Sequence, residues 1–191
     1  MFVTSTDFDI PPLVIPNLAG AGPINSFNAY VVREEEKILK SLFGVTLYNS
    51  FIEGLDTDYP DEVWLKLRDG DTYIIDGKTY EWVGLNKTLV PFIFAMWTRD
   101  NYHRQSGVGT VKGKAENAKV VNPGREIAIA YNEFSHYVGN CHDRKNTLYG
   151  YLSVMGGLGT FDGTFDDSFD TFDQYFDFVF KDPGRMNTMN I

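Results

Sequence analysis

Thr72-Tyr-Ile-Ile-Asp-Gly-Lys-Thr-Tyr-Glu-Trp-Val83 and Leu85-Asn-Lys-Thr-Leu-Val-Pro-Phe-Ile-Phe-Ala-Met-Trp-Thr-Arg-Asp-Asn-Tyr-His-Arg104 carry two different structural signals on either side of Gly84. In the first, two strand-like runs flank Asp76-Gly77, a two-residue turn signal, so residues 72–83 predict a β-hairpin. A lone hairpin is marginal in water, so it must pack on a helix. In the second, Leu89, Val90, Phe92, Ile93, Met96 and Trp97 cover much of a helical circumference. That pattern predicts a buried central helix over Leu85–Arg104. Pro91 is expected in its first turn, where proline is tolerated. Arg99, His103 and Arg104 put cations at the negative end of the helix dipole.

Upstream, Asn25 or Ser26 offers an N-cap. Phe27, Tyr30, Val31, Ile38, Leu39 and Leu42 then approximate an i, i+3/i+4 stripe. Glu34, Glu35, Glu36, Lys37 and Lys40 are read as the opposite, solvated face. Gly44 takes the helix-ending role. A second helix is expected over Thr46–Leu55, with Leu47, Phe51 and Leu55 at spacing four. A third, over Asp61–Leu67, lies between Pro60 and Asp69-Gly70. Residues 1–23 read as an extended arm, because Pro11, Pro12, Pro16 and Pro23 block regular helix. The arm carries Phe8, Ile10, Leu13, Val14, Ile15 and Leu18, which this domain or a neighbouring copy must cover.

Downstream, residues 105–121 form a Gly- and Lys-rich loop or hairpin. A last major helix is capped by Asn122 with Pro123 at its first position. It carries Ile127, Ala130, Tyr131, Phe134, Tyr137 and Val138, and Gly139 is its candidate end. From residue 156 the theme changes. Phe161, Phe165, Phe169, Phe172, Phe176 and Phe180 recur every three or four residues, interleaved with aspartates. A helical stripe and an extended acidic-aromatic tract both fit this spacing. The expected fold is mainly α: a small helical bundle (24–155) with an inserted hairpin at about 72–83. An extended N-terminal arm (1–23) and an acidic, aromatic C-terminal extension (156–191) flank it.

The chain has 191 residues, enough for one domain with a real core. Its net charge is −9, which excludes a protein that coats nucleic acid through a globally basic surface. The charge is uneven. Residues 1–98 hold 14 acids and 7 bases, and residues 151–191 hold 7 acids and 2 bases. Residues 99–125 reverse this, with 2 acids and 6 bases. Arg99, Arg104, Lys112, Lys114, Lys119 and Arg125 therefore form a basic island in an acidic chain. It reads either as solvated loop charge or as a contact with DNA phosphates or an acidic neighbour. Phe161, Phe165, Phe169, Phe172 and Phe176 likewise pack on their own domain or dock on another protein. The N-terminus has no secretory pattern, and the longest apolar run is too short to span a membrane. A soluble protein, intracellular or carried in a particle, is expected.

Patterns for catalysis are weak. Cys141, the one cysteine, allows no intrachain disulfide framework. Cys141, His142 and His136 do not make a four-ligand zinc site, since adjacent residues cannot easily aim at one ion. Gly107-Val-Gly109-Thr-Val-Lys-Gly113-Lys114 lacks the first glycine and the hydroxyl of a phosphate loop. The C-terminal aspartates lack the calcium-loop pattern. Asn86-Lys-Thr88 matches a glycosylation sequon only as a pattern. No nucleophile elbow or cysteine-protease signature occurs. A hydrolase using His103, His136 and Asp143 is the weakest of the functional readings. No enzyme activity, cofactor or metal is expected.

One resemblance adds to this. Glu34-Glu-Glu36-Lys-Ile-Leu-Lys-Ser-Leu-Phe-Gly44-Val-Thr-Leu-Tyr48-Asn-Ser-Phe-Ile-Glu-Gly-Leu55 comes first, then Tyr80-Glu-Trp82-Val-Gly84-Leu85 and Leu89 through Arg99. Ser106-Gly107-Val, Glu116-Asn117-Ala118 and a final long helix follow. This order resembles small proteins of phages and prophages of Bacteroidetes that look like head–tail connectors (adaptors). The resemblance covers roughly residues 25–150, with a looser echo at Arg185-Met-Asn187-Thr-Met-Asn-Ile191. The Phe-Asp tract departs from that pattern. The resemblance implies a structural virion protein at the head–tail interface, made in the host bacterial cytoplasm. It implies a homo-oligomeric ring of about twelve copies. Its partners would be the portal, a tail or next connector protein, and transiently the packaged DNA, with no membrane. An acidic channel wall would let DNA slide, because like charge disfavours tight phosphate contact. The alternative is a phage-encoded adaptor that binds a partner protein through its Phe-rich tract.

Overall fold

Gly84 decides how the hairpin meets the central helix. Its φ is +89°, and a Cβ there would lie 2.5 Å from the Asp69 carbonyl carbon and 2.6 Å from the Gly70 nitrogen. Only glycine allows this backbone-on-backbone crossing. The computed structural model describes residues 2–9, 11–15, 18, 21–75, 77–102, 104–106, 109–111, 123–139 and 146–157. Among them are five α-helices and two small antiparallel hairpins: α1 (Ala21–Leu55), α2 (Glu62–Asp69), β1 (Asp71–Ile75), β2 (Lys78–Trp82), α3 (Leu85–Tyr102), β3 (Arg104–Ser106), β4 (Gly109–Val111), α4 (Gly124–Val138) and α5 (Leu148–Gly157). The protein is mainly helical, as expected. No helix among the described residues is long and apolar enough to cross a membrane.

The two helices expected around Gly44 are one element, α1, broken at that residue (φ 75°, ψ 167°). Its first part starts earlier than Asn25, at Ala21. Pro23 is compatible with this, because the first helical turn has no use for its missing N–H. Phe27, Val31, Leu39, Leu42, Leu47 and Phe51 are buried, as their spacing requires. Glu34 and Glu35 are not on the solvated face. They are 6% and 3% exposed. Both sit three or four residues after Val31 and before Ile38 or Leu39, so the helical period carries them onto the buried stripe.

The buried Glu35 carboxylate has a structural task. It accepts the Val3 N–H at 2.7 Å and the Phe2 N–H at 2.9 Å. Residues expected as an extended arm therefore fold onto their own chain. A 3-10 turn at Ser5–Phe8 buries Phe8, whose ring meets Phe27 edge-on at 5.2 Å. Phe2 stacks on Phe51 at 5.5 Å. Ile15 and Leu18 are also buried, while Val14 is exposed. The domain itself covers most of these apolar residues.

In the first hairpin, Ile75 faces Lys78 and Asp71 faces Trp82, which leaves the expected two-residue turn. Gly77 supplies its positive φ. Tyr73 and Tyr80 stack across the strands at 5.9 Å. Trp82 is buried and donates its indole N–H to the Leu67 carbonyl of α2 at 3.0 Å. The helix that covers the hairpin is α5, which no periodic pattern in the sequence announces. Its Tyr151 ring stacks on Trp82 at 5.9 Å, and its hydroxyl donates to Asp71 at 3.2 Å. Gly150, Gly156 and Gly157 lower helix propensity here, and packing overrides them.

The central helix ends at Tyr102, and Arg104 begins β3 rather than closing the helix. Pro91 is the seventh residue of α3, not a first-turn residue. At that position it removes the hydrogen bond that the Lys87 carbonyl would receive. The residues from Phe92 to Met96 are all buried, so packing holds the helix through this gap. α3 packs most extensively on α4, where Phe92 lies 4.9 Å from Phe134. α4 starts at Gly124, one residue later than expected, with the Pro123 carbonyl accepting from Ile127 at 2.9 Å. Gly139 ends it.

Candidate interaction site

Where α1, α3 and α4 meet, they leave a cleft of about 250 Å³. Ile38 of α1, Phe92 and Met96 of α3, and Tyr131 of α4 supply its apolar lining. Phe92 and Met96 are each 6% exposed and form the floor. Lys37 and Arg99 stand at the rim, with side chains 75% and 46% exposed. Glu34 and Ser41 complete the α1 side. The Glu34 carboxylate lies 3.0 Å from Arg33 Nε and 3.6 Å from Lys37 Nζ. The volume is below the roughly 300–1,000 Å³ usual for small-molecule sites. It suits one inserted side chain better than a cofactor.

A polar network borders the cleft. The Tyr30 hydroxyl donates to Asp100 at 2.8 Å, and Arg99 Nε donates to the other Asp100 oxygen at 2.9 Å. The Arg33 guanidinium lies 4.9 Å over the Tyr30 ring. Burial, then the Asp100 hydrogen bond and charge, push the Tyr30 phenol well above its usual range. Burial pushes the Asp100 carboxyl up. The hydrogen bonds from Arg99 and Tyr30, with the charges of Arg99 and Arg33, outweigh this and hold it below its usual range. The Tyr30–Asp100 pair is thus held as phenol and carboxylate at neutral pH. It ties α1 to the end of α3.

The basic island is only partly placed. Arg99 is in the last turn of α3, where a cation suits the dipole. Arg104 begins β3, opposite Val111. Arg125 is exposed in the first turn of α4, where the dipole disfavours a cation. Helix stability accounts for Arg99 and does not account for Arg125. Lys112, Lys114 and Lys119 lie outside the described residues. So do Phe161, Phe165, Phe169, Phe172 and Phe176, and also His103, Cys141, His142 and Asp143. His136 is exposed on α4, its ring 6.2 Å from Tyr137. Among the described residues no group of three His, Cys, Asp or Glu side chains is placed to hold a metal ion. The sequon residue Asn86 donates its side-chain amide to Asp69 at 2.9 Å.

Of the candidate contact residues named from the sequence, only Arg99 among the described residues lines the cleft. The cleft's other members carry only the pattern of core or of solvated face. Their convergence depends on how α4 lies against α1 and α3. A signal does exist for Glu34, which falls on the apolar stripe. Comparison with protein-family models, with curated proteins and with solved structures finds no match to this chain.

Proposed function

We propose that the protein is a structural virion subunit, a head–tail connector that links a portal ring to the tail and continues the DNA channel. The observation that carries this reading is the distribution of charge over the fold. An acidic, mainly helical body leads through α3 straight into a short hairpin that opens with Arg104. Arg125 then sits where helix stability does not call for a cation. A wall that is acidic overall with few cations lets DNA pass without gripping it. The resemblance over residues 25–150 supports the same assignment. The partners in this reading are further copies of the chain, the portal and the next tail-side protein. The site of action is the virion, after synthesis in the bacterial cytoplasm.

The test is assembly. Purified protein, alone or mixed with a phage portal protein, is studied by electron microscopy and sedimentation. Rings, or a portal-bound ring, are the expected result. A strict monomer that joins neither portal nor virion overturns the proposal.

The five Phe-Asp units between residues 161 and 177 favour a second reading, that of an adaptor whose tract engages a partner protein. Deleting residues 156–182 separates the two. Intact rings that no longer bind the partner favour the adaptor role for the tract.

A further inference from the structure

The cleft and the Phe-Asp tract are complementary in three independent respects. In size, about 250 Å³ is a space for one aromatic side chain. In lining, Ile38, Phe92, Met96 and Tyr131 offer apolar and aromatic contact, and methionine and ring edges favour an inserted phenyl. In charge, Lys37 and Arg99 stand at the rim. Arg99 uses its Nε on Asp100, which leaves the terminal nitrogens of a five-donor group without a partner among the described residues. Lys37 Nζ is 3.6 Å from Glu34, a loose pairing on a mostly exposed side chain.

Across residues 158–180 there are six aspartates and no lysine or arginine. Phe161, Phe165, Phe169, Phe172 and Phe176 are each followed directly by aspartate. A phenyl ring in the cleft would therefore bring a carboxylate to the rim. Glu34 opposes this in part, but Arg33 also neutralises it at 3.0 Å. The described helix α5 ends at Gly157, four residues before the first Phe-Asp unit.

We infer that the cleft between α1, α3 and α4 docks a Phe-Asp unit from the C-terminal tract of a neighbouring copy of this chain. The neighbour is the occupant that the numbers leave room for, because each chain carries more units than its own cleft can hold. The tract repeats the unit five times, whereas a cleft of this size takes one unit at a time. Surplus units serve further copies, and repeated weak contacts add up through effective concentration. The inference goes beyond the connector reading and does not rest on it, since it needs only a second copy.

The test uses full-length protein with a benzophenone-bearing phenylalanine at Phe169 or Phe172. Isotopically heavy and light chains are mixed, irradiated and mapped by mass spectrometry. The expected crosslinks join heavy to light chains and fall within residues 34–41, 92–99 or at Tyr131. Lys37→Glu, at a side chain that is 75% exposed, lowers their yield about tenfold with unchanged circular dichroism. Asp166→Lys, Asp170→Lys and Asp173→Lys in the tract restore it against the reversed cleft. Crosslinks within single chains only, crosslinks elsewhere, no crosslinks, or a yield indifferent to charge reversal would each overturn the inference. Ring formation with a portal enters none of these readouts, so the two proposals fail separately.

Discussion

Val3 donates its backbone N–H to the carboxylate of Glu35 at 2.7 Å, across 32 residues of chain. That bond, with the pair from Phe2, turns the start of the chain into part of the core. It also places a carboxylate in a position that is 3% exposed. Burial raises the Glu35 pKa, and the Val3 and Phe2 N–H groups pull it back only in part.

The pH dependence follows in sign. A carboxyl whose folded pKa is raised binds its proton more tightly in the folded state. Its stabilising contribution is present below the ordinary glutamate value of 4.5 and is lost as pH rises through the folded value. Glu35→Gln removes this titration. Denaturation of both proteins from pH 4 to pH 8 should show wild type losing ground to Glu35→Gln as pH rises. A difference that is flat with pH would contradict this.

Glu35→Ala removes the acceptor altogether. The buried Val3 N–H is left unsatisfied, at about 1–3 kcal/mol, and the part-buried Phe2 N–H loses its acceptor at a smaller cost. Urea unfolding should report a destabilisation of about 2–4 kcal/mol. Residues 2–8 should also become open to proteolysis at low enzyme concentration. Unchanged protection would show that Phe2 and Phe8 hold the segment without Glu35.

Two of the positive-φ glycines around the hairpin, Gly84 and Gly77, should respond differently. At Gly84, an added Cβ meets main-chain atoms of Asp69 and Gly70 within 2.7 Å, and backbone cannot step aside cheaply. Gly84→Ala should cost more than about 3 kcal/mol or prevent folding. At Gly77, nothing lies within 4 Å of an added Cβ. Gly77→Ala should cost only the left-handed backbone penalty of about 1–2 kcal/mol. Equal effects would refute the crossing as the reason for Gly84.

Tyr151 contributes by its ring more than by its hydroxyl. Tyr151→Phe removes the 3.2 Å bond to Asp71 and should cost about 0.5–1.5 kcal/mol. Tyr151→Ala uncovers Trp82 and Tyr73 and should cost about 3–5 kcal/mol. Thermal unfolding of the two variants, followed by circular dichroism, checks the ranking.

The basic island should act on DNA weakly and without sequence preference. Removing one cation that touches a phosphate should reduce the salt dependence of binding by about one in log–log slope. Arg104→Glu and Arg125→Glu should each lower that slope on random-sequence duplex. Binding that is insensitive to both would remove DNA from the partners of these two positions.

Short-range chemistry is the part of this protein that its sequence determined unaided. Asp76-Gly77 specifies the turn, Asp61 and Gly70 bound α2, Gly44 breaks α1, and the apolar period names most of the core. These features depend on torsions and on neighbours three or four residues away, so they can be read in order. Tertiary packing decided the rest. It kept Pro91 inside α3 and made a helix of Leu148–Gly157 against weak propensity. It also brought Lys37, Phe92, Arg99 and Tyr131 from three helices around one cleft. Each of these outcomes depends on contacts far apart in the chain, whose free energy outweighs local preference and leaves no periodic trace.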